Sequence, residues 1–75
     1  MHFVYVIKSE SLNTTYIGQT DDLELRLKQH HGRLKAFDWK LVHAEQFSTR
    51  SLAVRREKYF KTGDGRKVLR NKGVI

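Results

Sequence analysis

Seventy-five residues can close one small hydrophobic core and no more, because a fold of this size buries a low fraction of its surface. The chain has no cysteine, so neither a disulfide nor a thiolate zinc site can brace that core, and its four histidines lack the paired spacing of a structural metal site. The net charge of +7 sits in one place: residues 1–48 carry six Lys/Arg against six Asp/Glu, whereas residues 49–75 carry nine against two, the usual footprint of nucleic-acid binding, with a solvated helix face or an RNA-contacting basic tail without chemistry as the plainer alternative.

Residues 2–8 (His-Phe-Val-Tyr-Val-Ile-Lys) are apolar on both alternating faces, with Phe3, Tyr5 and Ile7 on one and Val4 and Val6 on the other. A short run of β-branched and aromatic residues with this pattern predicts a strand covered on both sides. It is too short for a signal peptide, and no later run approaches the roughly 20 apolar residues of a membrane span, so the chain reads as soluble and cytoplasmic. Residues 9–14 form a polar turn, and β-type residues resume over 15–19, which predicts a hairpin. Gly18, inside that second strand, marks a place where backbone or ligand must approach closely.

Thr20-Asp21-Asp22 predicts a helix start, with a hydroxyl to cap and acids in the first turn. Leu23, Arg26, Leu27 and His30 share one face of that helix, and Gly32 is the expected stop. Residues 39–47 read as a third strand. Ser48 or Thr49 caps a second helix running to about Thr62, with Gly63 as its stop, and Asp64 caps a third helix over residues 65–72. The expected order is ββαβαα, a single α+β domain over residues 1–75, with a three-stranded antiparallel sheet flanked by helices.

Paired strands lie about 5 Å apart, so the hairpin can aim Tyr5 and Tyr16 at a shared pocket; either tyrosine alone could equally be a packing residue. Arg26 and His30 are four residues apart and share the stripe that Leu23 and Leu27 turn toward the core. An arginine there needs a partner or a task, unless its stem packs while its head reaches water. His30 could also simply be a histidine favoured by the helix C-terminus. Glu57 is the only acid in a helix dense with cations and shares a face with Ala53 and Phe60. It suits a hard divalent cation, which takes one or two carboxylates plus water and phosphate oxygens. The plainer alternative is an i,i+4 ion pair with Lys61.

Together these residues resemble the GIY-YIG endonuclease family, most closely its small stand-alone domains, along essentially the whole chain. Val4-Tyr5-Val6 resembles the first motif and Tyr16-Ile17-Gly18-Gln19-Thr20 the second. Leu25-Arg26-Leu27-Lys28-Gln29-His30 resembles the helix motif; Arg56-Glu57 and Lys61-Thr62-Gly63-Asp64-Gly65-Arg66 resemble the distal ones. Three departures stand out: Val4 replaces the glycine of the family name, His31 stands where many members have Asn or Gln, and the connection over residues 32–38 is short.

The resemblance implies a metal-dependent endonuclease acting on DNA. Tyr5 would be a general base or an orienter of the attacking water, Tyr16 would contact the scissile phosphate, Arg26 would stabilise its charge and His30 would assist proton transfer. Glu57 would hold one Mg²⁺, with Mn²⁺ as a substitute. Gly18, Gln19, Thr20, Arg56, Lys61 and Arg66 are the expected substrate-binding positions, and a partner domain or subunit would add specificity. A tyrosine base needs a pKa well below its usual value near 10, for which Arg26 and a metal have the right sign, whereas a histidine suits neutral pH untuned. Two other readings remain open: a catalytically weak nucleic-acid-binding module acting within a larger assembly, and a basic protein that contacts RNA.

Overall fold

The run Val4-Tyr5-Val6-Ile7 is buried along its whole length, which is possible only for a strand with cover on both faces. In a computed structural model of the protein it lies in β1 (His2–Ser9), the centre of a sheet ordered β2-β1-β3, with β2 (Thr14–Thr20) and β3 (Lys40–Phe47) both antiparallel to it. Three helices complete the α+β fold: α1 (Leu23–Arg33), α2 (Arg50–Phe60) and α3 (Gly63–Asn71). The structure describes residues 1–33 and 38–75, with only the backbone of residues 30–33. Most of the short connection expected over residues 32–38 thus lies outside the described residues. No helix among the described residues is long and apolar enough to cross a membrane.

The two faces of β1 build two cores. Val4 and Val6 join Ile17, Ala53, Phe60 and Leu69, which seats α2 and α3 on one face. Tyr5 and Ile7 join Trp39 on the other, where Leu23 and Leu27 of α1 pack against them. Phe60 and Leu69 are fully buried, each worth about 1.5–3 kcal/mol of hydrophobic transfer. A register shift between Val6 and Ile7 lets β3 skip a residue, so Val6 faces His43 while Ile7 faces Leu41.

The helix ends differ from expectation in informative ways. Asp22 rather than Thr20 caps α1, its carboxylate accepting from the Leu25 N–H at 3.0 Å, while the Thr20 hydroxyl accepts from the Asp22 N–H at 3.1 Å. The helix also runs past Gly32 to Arg33, because glycine in a helix costs about 1 kcal/mol but does not forbid it. Thr49 caps α2 through the Leu52 N–H, as expected. Gly63 does not end α2; it opens α3, and the cap is Thr62, whose hydroxyl accepts from the Gly65 N–H at 3.1 Å. Gly73, at φ +75°, follows α3 in the left-handed conformation.

Asp38 fastens the β1–β2 turn. Its carboxylate accepts from the buried Ser9 hydroxyl at 2.7 Å, the Ser11 N–H at 2.8 Å and the Ser11 hydroxyl at 2.9 Å. Those bonds, Ser9 foremost, lower its pKa from 3.8 to about 2. The lowered pKa makes the ionised form the stabilising one, in full above the unfolded value and lost as pH falls through about 2. Urea midpoints should therefore fall between pH 5 and pH 2, and Asp38→Asn should flatten that slope; parallel slopes in the two proteins would rule this role out.

Candidate active site

Gly18 sits directly opposite Tyr5 in the β1–β2 register. A first side-chain carbon at Gly18 would lie 2.6 Å from the Tyr5 hydroxyl oxygen and 3.1 Å from the Tyr16 ring. The close approach predicted at Gly18 is thus made by the two tyrosines, which lie over it with ring centroids 6.3 Å apart and planes tilted by 30°. Tyr5 is buried, whereas Tyr16 is 42% exposed at the surface. Together they form a phenolic floor with one ring inside and one at the mouth.

Three further groups act on the Tyr5 hydroxyl. Burial, the largest influence, pushes its pKa from 10 up to about 12; Tyr16 raises it, Arg26 lowers it and Glu57 raises it. Arg26 acts in the expected direction, but burial outweighs it, so Tyr5 keeps its proton at neutral pH. The charges of Arg26 on α1 and Glu57 on α2 thus both reach the Tyr5 hydroxyl on β1. His30 belongs to α1 by its backbone; its side chain lies outside the described residues.

Arg26 is half-buried and donates from Nη1 to the Gln29 side-chain oxygen Oε1 at 3.3 Å. It lines a cleft of about 220 Å³ with His2, Gln19, Thr20, Asp21 and Arg50. Gln19 brings a buried side-chain oxygen without a hydrogen-bond partner among the described residues, while the Thr20 hydroxyl is tied to Asp22. A second cleft of about 280 Å³ is lined by Thr15, Tyr16, Ile17, Lys61 and Arg66. Tyr16 marks its edge. Each cleft thus carries two cationic side chains, and Arg50 is a contributor to the first that sequence reasoning missed; its position just after a cap carried no signal of what it would face.

Glu57 holds Lys61, with Nζ 2.7 Å from Oε2. Arg56, expected beside it as a phosphate ligand, is engaged with β3 and the core: its guanidinium donates to Glu45 at 2.9 and 3.3 Å and stacks 4.4 Å from the centroid of Phe60. His43 bonds the same carboxylate at 2.8 Å. Burial opposes ionisation of Glu45, but the bonds from Arg56 and His43 outweigh it and hold its carboxyl below the usual range. Arg56 thus clamps β3 to α2, a non-local task that nothing in Arg55-Arg56 reveals.

Among the described residues no group of three or more His, Cys, Asp or Glu could hold a metal ion by itself. A single carboxylate does suit a hard cation that takes its remaining ligands from water and phosphate. The Lys61 ammonium on Glu57 shows that a positive charge fits there.

The GIY-YIG catalytic domain matches residues 1–69. The chain belongs to the GIY-YIG family. It is 41% identical over 66 residues to the UPF0213 protein YazA of Bacillus subtilis, a match covering 80% of this chain and 66% of that protein. It is 37% identical over 67 residues to the UPF0213 protein SH2523 of Staphylococcus haemolyticus, covering 81% and 80% respectively. The chain thus spans just under two thirds of the Bacillus relative. No solved structure matches. Within this GIY-YIG domain the first tyrosine is the buried ring, the second the exposed one, and the glycine between them is what lets them meet.

Proposed function

We propose that residues 1–75 form one GIY-YIG domain that acts as an endonuclease, hydrolysing DNA phosphodiester bonds with a single Mg²⁺, for which Mn²⁺ can substitute. The observation that carries this reading is the tyrosine pair over Gly18, with ring centroids 6.3 Å apart and a buried Tyr5 hydroxyl that feels the charges of Arg26 and Glu57. Phosphoryl transfer needs little covalent work from the protein; it needs positioning and charge stabilisation. A cation bound at Glu57 would supply Lewis-acid stabilisation of the phosphate.

In this reading the guanidinium of Arg26 faces the charge that develops on the phosphate. Tyr5, held protonated by burial, orients the attacking water rather than deprotonating it. His30 then accepts the proton, a role open to an imidazole at neutral pH. Tyr16, exposed at the mouth, contacts the scissile phosphate, and the clefts holding Arg26 on one side and Lys61 with Arg66 on the other grip the flanking phosphates. Gln19 and Thr20 line the first of these clefts. Arg56 supports the fold from a distance, and a partner domain or subunit supplies specificity that so small a surface lacks.

Incubating the purified protein with supercoiled, linear, branched and single-stranded DNA, with and without Mg²⁺ or Mn²⁺, tests this directly. Metal-dependent cutting is expected of at least one form. Glu57→Gln should abolish it while DNA still shifts in a gel; undiminished cutting by that variant would remove Glu57 as the ligand. The ion pair already on Glu57 favours a second reading, a nucleic-acid-binding module whose site stays closed outside a larger assembly. Binding without cleavage under every condition would select it.

A further inference from the structure

Lys61 faces two ways. Its ammonium lies 2.7 Å from the Glu57 carboxylate, whose side chain is 20% exposed against 52% for Lys61. The same residue lines the 280 Å³ cleft with Tyr16 and Arg66. Its backbone is the C-cap of α2, at the corner where the chain turns toward α3. A lysine at such a corner has a flexible four-carbon stem and three donors that can be re-aimed, unlike the stacked and doubly bonded Arg56 guanidinium.

We propose that Lys61 is the exchangeable occupant of the Glu57 carboxylate. Without a divalent cation it neutralises Glu57; when one binds, like charges repel and the ammonium turns into the cleft. There it joins Arg66 as a pair of donors for a phosphodiester oxygen. The two events are linked: cation entry arms the phosphate grip, and a phosphate in the cleft draws Lys61 off Glu57. Each ligand therefore tightens the other by the same factor. This rests on the reading of Glu57 as the cation's ligand, and it adds a positioning role for Lys61 beyond simple attraction of DNA.

Calorimetric titration of Mn²⁺ into the full chain, without nucleic acid, tests the exchange. Lys61→Met and Lys61→Gln should each tighten Mn²⁺ binding by about fivefold, the equilibrium equivalent of removing a half-exposed ion pair. A phosphorothioate oligodeoxynucleotide should tighten Mn²⁺ binding to the wild-type protein, and more so than to either variant. Helical circular dichroism identical to wild type confirms that both variants fold. Unchanged or weaker Mn²⁺ binding by both variants, with Glu57→Gln losing the ion, overturns the exchange alone. Wild-type Mn²⁺ affinity in Glu57→Gln overturns the ligand assignment and the exchange with it.

Discussion

Arg26→Ala should lower the rate of DNA cleavage by about 10²–10³, the usual loss when a donor aimed at developing charge is removed. Two features of the structure carry that expectation. The guanidinium is half-buried and held to Gln29, so it is pre-placed rather than waving in solvent. Its charge also favours the ionised form of the Tyr5 hydroxyl, against the effects of burial, Tyr16 and Glu57, which puts it within electrostatic reach of the tyrosine pair. Single-turnover rates at saturating enzyme isolate the chemical step from binding. Arg26→Lys should recover only part of the loss, because an ammonium keeps the charge but not the planar fork. A loss below tenfold in Arg26→Ala would mean that the residue only packs.

The second large effect concerns the fold. Gly65→Ala should destabilise the domain by about 1–3 kcal/mol or more, the range for overpacking a rigid core. A methyl at Gly65 would overlap the Tyr59 carbonyl oxygen and lie 2.6 Å from the Phe60 Cα. Both neighbours are backbone, so no side chain can swing aside. The corner between α2 and α3 would have to open, and Phe60 and Leu69 with it. Each kcal/mol is about 4–8 °C in melting temperature for a domain this small, so a thermal melt reads the effect easily. Gly63→Ala is the control, since a side chain there meets nothing within 4 Å. It should be neutral or stabilising by up to about 1 kcal/mol through the unfolded chain. Equal melting temperatures for the two variants would show that the corner is loose.

These two glycines also show where sequence reading reaches its limit. In Thr62-Gly63-Asp64-Gly65 they look alike, and the first is the natural candidate for a helix stop. The structure reverses the roles: Gly63 begins α3 with open space around it, and Gly65 is the contact point between helices. What separates them is a neighbour on another element, which no local pattern encodes. Arg56 makes the same point, since its partner Glu45 lies eleven residues away across a strand boundary. So does Asp38, whose serines lie on the far side of α1 in the chain. By contrast, β1 was legible because four consecutive buried residues have only one geometry that buries them all. The tyrosine pair was legible too, because a hairpin register of period two puts alternate residues on one face. The pKa of Tyr5 was not, because the depth of its burial depends on the whole sheet.

Tyr5 belongs to the strand that is bonded on both sides, to Gly18 on β2 and to Ala44 on β3, with a core on each face. Such a position exchanges its amide hydrogen only when the whole sheet comes apart. The phenol is therefore anchored at the most slowly opening point of the molecule, not on a loop that must settle first. A phenol so placed needs no prior ordering to meet a ligand, and a substitution that loosens the sheet disturbs it only as the fold itself gives way.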